Sequence, residues 1–523
     1  MIKMTKAFRY LVPTLVTVMT FTACTDLAVK ELDSKIIEST SGEFTGVAPA
    51  AALKSSYGDL GQFADQANLY ALLEVASDEL LVPTRGTDWG DNGVWRLLHT
   101  HDWDATHPYV LNAWNNLNAN GFRLTQLLAP ESAASALITA EGKFLRAWNS
   151  FYIFDLWRQI PQRGVNDDAS TAPAVLTGQA AFDFIVNDLT SALPNLPAQS
   201  AGAAINAGKD AASGGSGASK AAANYLLAKM YLNKHIYLKT TPQAADMTKV
   251  IEYVNAIDVD GFALQSGFFK IFEKTADSET ILWINACICN RIWNGMHYNM
   301  VAPGQGGGWN GFSTTADFYA LFEGSATSNN PGAGQEERRG FVPNTATSNG
   351  TGIGFGFLVG QQFDKAGVAL KDRAGAPLVL TKDFPGLAGN NERTGIRVIK
   401  YNPGNGNEYT SHNILFRYAD AHLMRTEAIL RGGTGAGNSA QGYLDALRTI
   451  RGASSKPATL DEIFNERGRE LYIEGWRRND QVRFGKYSTP YGFKTNTDAY
   501  RDIYPIPSSA LTSNPNLKQN EGY

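Results

Sequence analysis

The sequence predicts a mostly α-helical scaffold that carries long loops and a few short strands. Apolar residues recur at the i, i+3, i+4, i+7 spacing that lines one helix face in several segments, while the stretches between them are long and rich in Gly, Asn and Ser. Hydrophobic residues make up 43% of the 523 and charged residues 18%, so there is ample apolar surface to bury and long disorder is excluded. At about 150 residues per domain the length allows three or four domains.

The helical period is met by Leu69, Leu72, Leu73 and Ala76, then by Phe144, Ala147, Trp148, Phe151 and Tyr152. Ala222, Tyr225, Leu226 and Met230 repeat it, as do Leu415, Tyr418, Ala419 and Leu423. Alanines at these packing positions suit closely crossing helix pairs of the tetratricopeptide type, although no clean 34-residue repeat is present. Between the helices, residues 198–219 are a Gly/Ala/Ser linker, and 302–312 and 324–354 are Gly/Asn/Ser-rich loops. Loops of that length in a compact chain are functional or disordered.

The first residues read as a targeting segment. Lys3, Lys6 and Arg9 precede an uncharged apolar run over residues 10–23, which ends in small residues before Cys24. Fourteen residues fall short of the about 20 that cross a bilayer, so the run reads as a signal peptide. Phe21-Thr22-Ala23-Cys24 resembles a bacterial lipobox, whose cysteine becomes the lipidated first residue. Several acyl chains anchor stably, each buried methylene adding about 0.8 kcal/mol. Residues 24–45 then form a lipidated tether. Cleavage removes three positive charges and no acid, taking the formal net charge from −4 to −7. Nucleic-acid binding shows a basic excess or stripe; with 46 basic and 50 acidic residues this class is excluded. Cys287 and Cys289 lie in an alternating, strand-like run (ILWINACICNRIW), where residues two apart are poorly placed for a disulfide, and they read as buried thiols.

Three constellations could carry chemistry. Over 461–484, read as one helix, Glu466, Glu470 and Glu474 share a face. A carboxylate pair could cleave a glycosidic bond, but Arg469, Arg477 and Arg478 nearby would keep the acids ionised, so a structural ion-pair network is expected. His99, His101 and His107 stand near Asp102 and Asp104; without an H-E-x-x-H motif or a cysteine pair they read as hydrogen-bonded histidines rather than zinc ligands. No P-loop is present, and no serine sits in a nucleophile-elbow pattern.

The third is aromatic. Residues 85–103 hold Trp89, Trp95 and Trp103 among Arg85, Asp88, Asp91 and Asn92, and residues 293–310 hold Trp293, His297, Tyr298 and Trp309. A sugar offers an apolar C–H face that flat rings match, and a rim of hydroxyls that Asp, Asn and Arg can bond. The alternative is that these rings only pin loops onto the core.

Blocks almost end to end resemble the SusD/RagB family of outer-membrane nutrient-binding lipoproteins. They include FTAC, SDELLVPTRGTDW with NAWNNLNANGFR, EGKFLRAWNSFYIFDLWRQIPQ, ASKAAANYLLAKMYL, FRYADAHLMRTEAIL, LDEIFNERGRELYIEGWRRNDQVRFGKY and the closing YPIPSSALTSNPNLKQNEGY. The resemblance implies a single SusD-like body over 46–523, with halves of about 46–260 and 261–523 and tetratricopeptide-like helix pairs supporting a loop-rich face. It implies a non-catalytic glycan-binding protein, held in the outer membrane through its lipid and facing the cell surface. Its partners would be a glycan and a SusC-like TonB-dependent transporter that imports it. A peptide-binding lid of a peptide importer is the alternative, and a glycoside hydrolase a more distant one. The resemblance points to Asp78, Arg85, Trp89, Asp91, Asn92, Trp95, Tyr298 and Trp309 as ligand-binding positions. Trp89, Trp95 and Trp309 would stack; Arg85 and Asp91 would bond hydroxyls. No cofactor is expected; loop carboxylates leave room for a structural calcium, though no EF-hand pattern marks one.

Overall fold

A computed structural model describes residues 43–523 apart from 169, 204–215, 274, 303–305, 326–328, 330, 331, 333, 347, 348 and 404–411. The signal segment 1–23, Cys24 and the tether up to residue 42 lie outside the described residues, as does most of the 198–219 linker. Phe44–Tyr523 is one compact unit.

The chain begins with α1 (Pro49–Gly58), α2 (Asn68–Glu74) and the two-residue strand β1 (Leu80–Leu81), followed by α3 (Val94–Thr100). Then come the long helices α4 (Pro108–Leu128) and α5 (Ala136–Trp157), the hairpin β2 (Gln159–Gln162) and β3 (Ala174–Thr177), and α6 (Gly178–Ala192), α7 (Lys220–Tyr237) and α8 (Ala244–Val259). Neighbours in this series pack on one another, α4 on α5, α5 on α6, α6 on α7 and α7 on α8. Side chains fix several starts. Ser135 Oγ accepts the Ile138 N–H and Ser219 Oγ accepts that of Ala222, while Pro108 opens α4, where its missing N–H costs nothing. Arg158, at φ 63°, ends α5.

The second half is loop-rich. It holds β4 (Thr280–Ile284), α9 (Cys289–Gly295), β5 (Ser313–Thr314), α10 (Ala316–Tyr319), β6 (Gly340–Phe341), β7 (Phe355–Leu358), β8 (Gly360–Gln361), β9 (Val379–Leu380), β10 (Arg397–Ile399) and β11 (Asn413–Arg417). The last helices are α11 (Tyr418–Leu430), α12 (Ala440–Ile450), α13 (Leu460–Leu471), α14 (Arg477–Arg483) and α15 (Ser508–Ser513). The strands make small antiparallel ladders, β1 with β5, β4 with β11, and β6–β7–β10. One apolar core fills the helical half around Trp148, Phe151, Trp157 and Leu226; a second, around Phe268, Phe318, Phe357 and Tyr472, lies under the loops.

Three local expectations are corrected. Leu415 belongs to strand β11, and the helix starts only at Tyr418. The 461–484 segment breaks into α13 and α14, because Ile473 (φ 55°) and Gly475 (φ 85°) turn the chain. Cys287 and Cys289 lie beyond the end of β4, Cys287 is exposed, and the two are joined in a disulfide. The chain turns from strand into α9 there, which brings their Cα atoms to 5.1 Å, inside the disulfide range.

Candidate ligand-binding face

The two aromatic regions meet because β1 pairs with β5. Leu80 faces Thr314 and Leu81 faces Ser313, so the loop leaving β1 lies beside the loop entering β5. Two buried arginines lock these loops to a third at 390–395. Arg85 donates through Nε to the Asn310 carbonyl (2.8 Å), through Nη1 to those of Asn391 (2.9 Å) and Thr394 (2.6 Å), and through Nη2 to Ser313 Oγ (2.8 Å). Arg397 donates to Asn310 Oδ1 (2.6 Å from Nη2) and to the Glu392 carbonyl (2.8 Å). Burial pulls Arg85 down to about 10, and burial with the Arg85 charge nearby pulls Arg397 well below its ordinary value.

On this frame sits a set of rings. Trp89, at φ 61°, donates its indole N–H to the Trp309 carbonyl at 2.8 Å. A Cβ on Gly311 would lie 2.6 Å from the Trp89 ring, so only glycine lets the ring lie there. Trp95 stands edge-on to Trp89 at 5.9 Å between centroids and donates to Asp91 Oδ2 (2.8 Å). Trp309 is 43% exposed. Its loop folds back on residues 296–298, where a Cβ on Gly308 would meet the Met296 carbonyl at 2.2 Å; the glycines are there for close approach.

A charged cluster flanks the rings. The half-buried Tyr298 donates its hydroxyl to Asp88 Oδ2, and the Arg373 guanidinium lies 3.8 Å over the Tyr298 ring. Arg373 also pairs with Asp88 (3.2 Å) and with Glu392, and its side chain is 52% exposed. His297 Nε2 lies 3.1 Å from Glu392. Burial, helped by Arg397, pulls His297 down to about 4, so it is neutral at pH 7. Against the cost of burial, Arg373 holds Glu392 below its ordinary value.

Of the sequence-predicted positions, Trp89, Asp91, Asn92, Tyr298 and Trp309 come together with accessible surface. Three others are corrected. Arg85 is buried with its donors spent on the frame. Trp95 is 3% exposed and has no face to offer a ring. Asp78 is held by Arg477 in a two-bond pair (2.7 and 2.8 Å) that ties β1 to α14. Arg373 and Glu392 escaped sequence reasoning; their only signal is polarity in two loops, DRAG and NNER.

The other constellations are structural. Glu466 and Glu470 are fully buried. Glu466 pairs with Arg338 (2.7 Å), Arg448 (2.5 Å) and Arg469 (2.5 Å), and these hold it down at about 2 against burial. Glu470 pairs with Arg417 (2.7 Å), Arg451 (2.8 Å) and Arg338 (3.1 Å), which also keep it well below the carboxylate range. Glu474 is held by Lys400 and Arg417 rather than by the expected Arg477 and Arg478. His99 lies in helix α3, His101 caps its end and His107 caps the start of α4. His99 Nδ1 lies 3.2 Å from the Leu80 carbonyl, His101 Nε2 2.9 Å from that of Ala76, and His107 Nε2 3.1 Å from that of Val94. Among the described residues no three His, Cys, Asp or Glu side chains are grouped to hold a metal.

Residues 270–523 match the SusD family model. That match spans just under half of the chain, and the similarity to SusD-like proteins extends beyond it. The starch-binding protein SusD of Bacteroides thetaiotaomicron is 26% identical over 444 residues, covering 77% of this chain and 76% of that protein. A laminarin-binding SusD-like protein of known structure superposes with a TM-score of 0.66 at 20% identity, over 92% of this chain and all (100%) of that one. A SusD-like protein from Bacteroides fragilis gives 0.69 at 19% identity, over 93% and 99%. The helical body with a loop-rich half is therefore the SusD-like fold.

Proposed function

We propose that this SusD-like chain is a non-catalytic glycan-binding lipoprotein of the outer-membrane surface. It captures oligosaccharide for import through a SusC-like TonB-dependent transporter. In this reading residues 1–23 are the signal peptide, the lipid on Cys24 and the tether to residue 45 hold the chain at the membrane, and the body over 46–523 binds. The observation that carries the reading is the exposed Trp309 ring beside the half-buried Trp89 and Tyr298, set on a frame that two buried arginines hold. A preorganised platform loses little freedom on binding, and the rings match a sugar's C–H face. Asp91, Asn92, Asp88 and Arg373 stand at its edge for hydroxyls. A shallow platform of this kind binds in the µM to mM range, about −8 to −4 kcal/mol. Glu466 and Glu470 lack both the exposure and the raised pKa of a proton donor, which supports a binding role over hydrolysis.

The test is affinity electrophoresis of residues 25–523 in gels holding soluble polysaccharides, starch and laminarin first, with reducing ends assayed in the same samples. Retardation without new reducing ends is expected. Release of reducing ends, or retention by peptides with indifference to every sugar, would replace the reading.

A further inference from the structure

A cavity apart from the aromatic face is lined by both apolar and polar side chains. It lies between α4, α5 and the β2–β3 hairpin and holds about 190 Å³, room for roughly six waters at about 30 Å³ each. Its α4 residues begin at Asn118, nine positions beyond the Tyr109 that packs against Trp95. At about 1.5 Å per residue that is roughly 14 Å or more along the helix. The cavity is thus separate from the Trp309 platform.

Its walls combine two kinds of surface. Phe122, Ile153, Ile160 and Pro161 are apolar. Asn149 is fully buried; its Nδ2 donates to the Leu117 carbonyl (2.5 Å), and its Oδ1 has no partner. A buried acceptor left unbonded is costly, so a donor that reaches it from the cavity would gain a bond the protein does not make. Ser150, 3% exposed, brings a hydroxyl to the same wall. Arg146 reaches the cavity while Nε and Nη2 bond Asp188 at 2.7 and 2.8 Å. That pairing offsets the arginine charge, so an anion gains little. Gln162 completes the rim from β2.

We propose that this cavity is a second ligand site, taking one neutral sugar ring or a polyol of similar size. A ligand hydroxyl donates to Asn149 Oδ1, others bond Ser150 and Gln162, and the C–H face lies on Phe122 and Ile153. The proposal stands apart from the platform reading, since neither needs the other.

The experiment is saturation-transfer NMR on residues 25–523 with glucose, galactose, mannose and xylose in turn, each at millimolar concentration. Every titration is repeated on Trp309→Ala, Gly121→Leu and Gln162→Ala. Gly121 is in α4 at the cavity wall; a Cβ there meets only the Asn149 amide nitrogen, at 3.3 Å. Leucine is the better helix former, so Gly121→Leu fills the space without breaking the helix, and an unchanged melting temperature checks this. The expected result is transfer to at least one monosaccharide that survives Trp309→Ala, vanishes in Gly121→Leu and weakens several-fold in Gln162→Ala. Transfer to none, or transfer that Gly121→Leu leaves unchanged, overturns the proposal and leaves the cavity to water. Transfer lost only in Trp309→Ala also overturns it, while supporting the platform.

Discussion

Two clusters of arginines and carboxylates in this molecule use the same chemistry for opposite ends. Around Glu466 and Glu470, from α13, the partners Arg338, Arg417, Arg448 and Arg451 are all within 1% of complete burial. Beside the Trp309 platform, Arg373 keeps half its side chain in solvent while it pairs with Asp88 and Glu392. The buried set cannot reach a ligand, and its desolvated charges cannot spare a partner. The exposed set is screened by water and holds its partners weakly, which in the proposed reading would let it exchange a protein partner for a ligand hydroxyl. Burial, not residue type, separates scaffold from site.

The sharpest way to break that contrast is Glu470→Ala. It takes one carboxylate from each of three buried guanidinium groups, which keep Glu336, Glu466, Glu279 and Glu474 as partners, and we expect a stability loss of about 3 kcal/mol in denaturant unfolding, with platform binding retained wherever the protein is folded. A loss below about 1 kcal/mol would deny the network its structural role.

Next comes pH. Glu74 is fully buried beside Glu79; burial pushes Glu74 up to about 7 and raises Glu79 as well. The folded state therefore holds a proton more tightly than the unfolded chain, where Glu titrates near about 4.3. Stability from this pair is complete below that value and falls as pH rises to about 7, by on the order of 1–3 kcal/mol. Glu74→Gln should flatten the fall; chemical denaturation at a series of pH values reads it.

At the platform, Trp309→Ala should weaken glycan retention about tenfold, roughly 1.4 kcal/mol, with no change in melting temperature. Arg373→Ala should cost the least, a few-fold in affinity and under about 1 kcal/mol in stability. An Arg373 effect larger than that of Trp309 would move the centre of the site from the rings to the charges.

The sequence made the long helices legible because α5 and α7 carry uninterrupted apolar periods over several turns, Phe144 to Tyr152 and Ala222 to Met230. It misled over 461–484 because the break is set from afar. Glu79 accepts the Ile473 N–H (2.9 Å) and Glu74 accepts that of Gly475, across separations of 394 and 401 residues, and no local period records them. At the face, aromatic and amide density singled out both loops, since three tryptophans fall within residues 85–103 and two within 293–310. It could not sort Trp95, an inward ring, from Trp309, an outward one, because the β1–β5 pairing that decides between them is long-range. Arg373 and Glu392 carry no spacing signal at all; they arrive through loops folded over the frame of Arg85 and Arg397.

The most direct measurement is the mobility of wild type and Trp309→Ala, side by side, in a gel containing the polysaccharide that retards the wild type, with melting curves on both. The variant is expected to run nearly free while melting at the wild-type temperature. Equal retardation of the two, at equal stability, would contradict it and place the binding site elsewhere on the molecule.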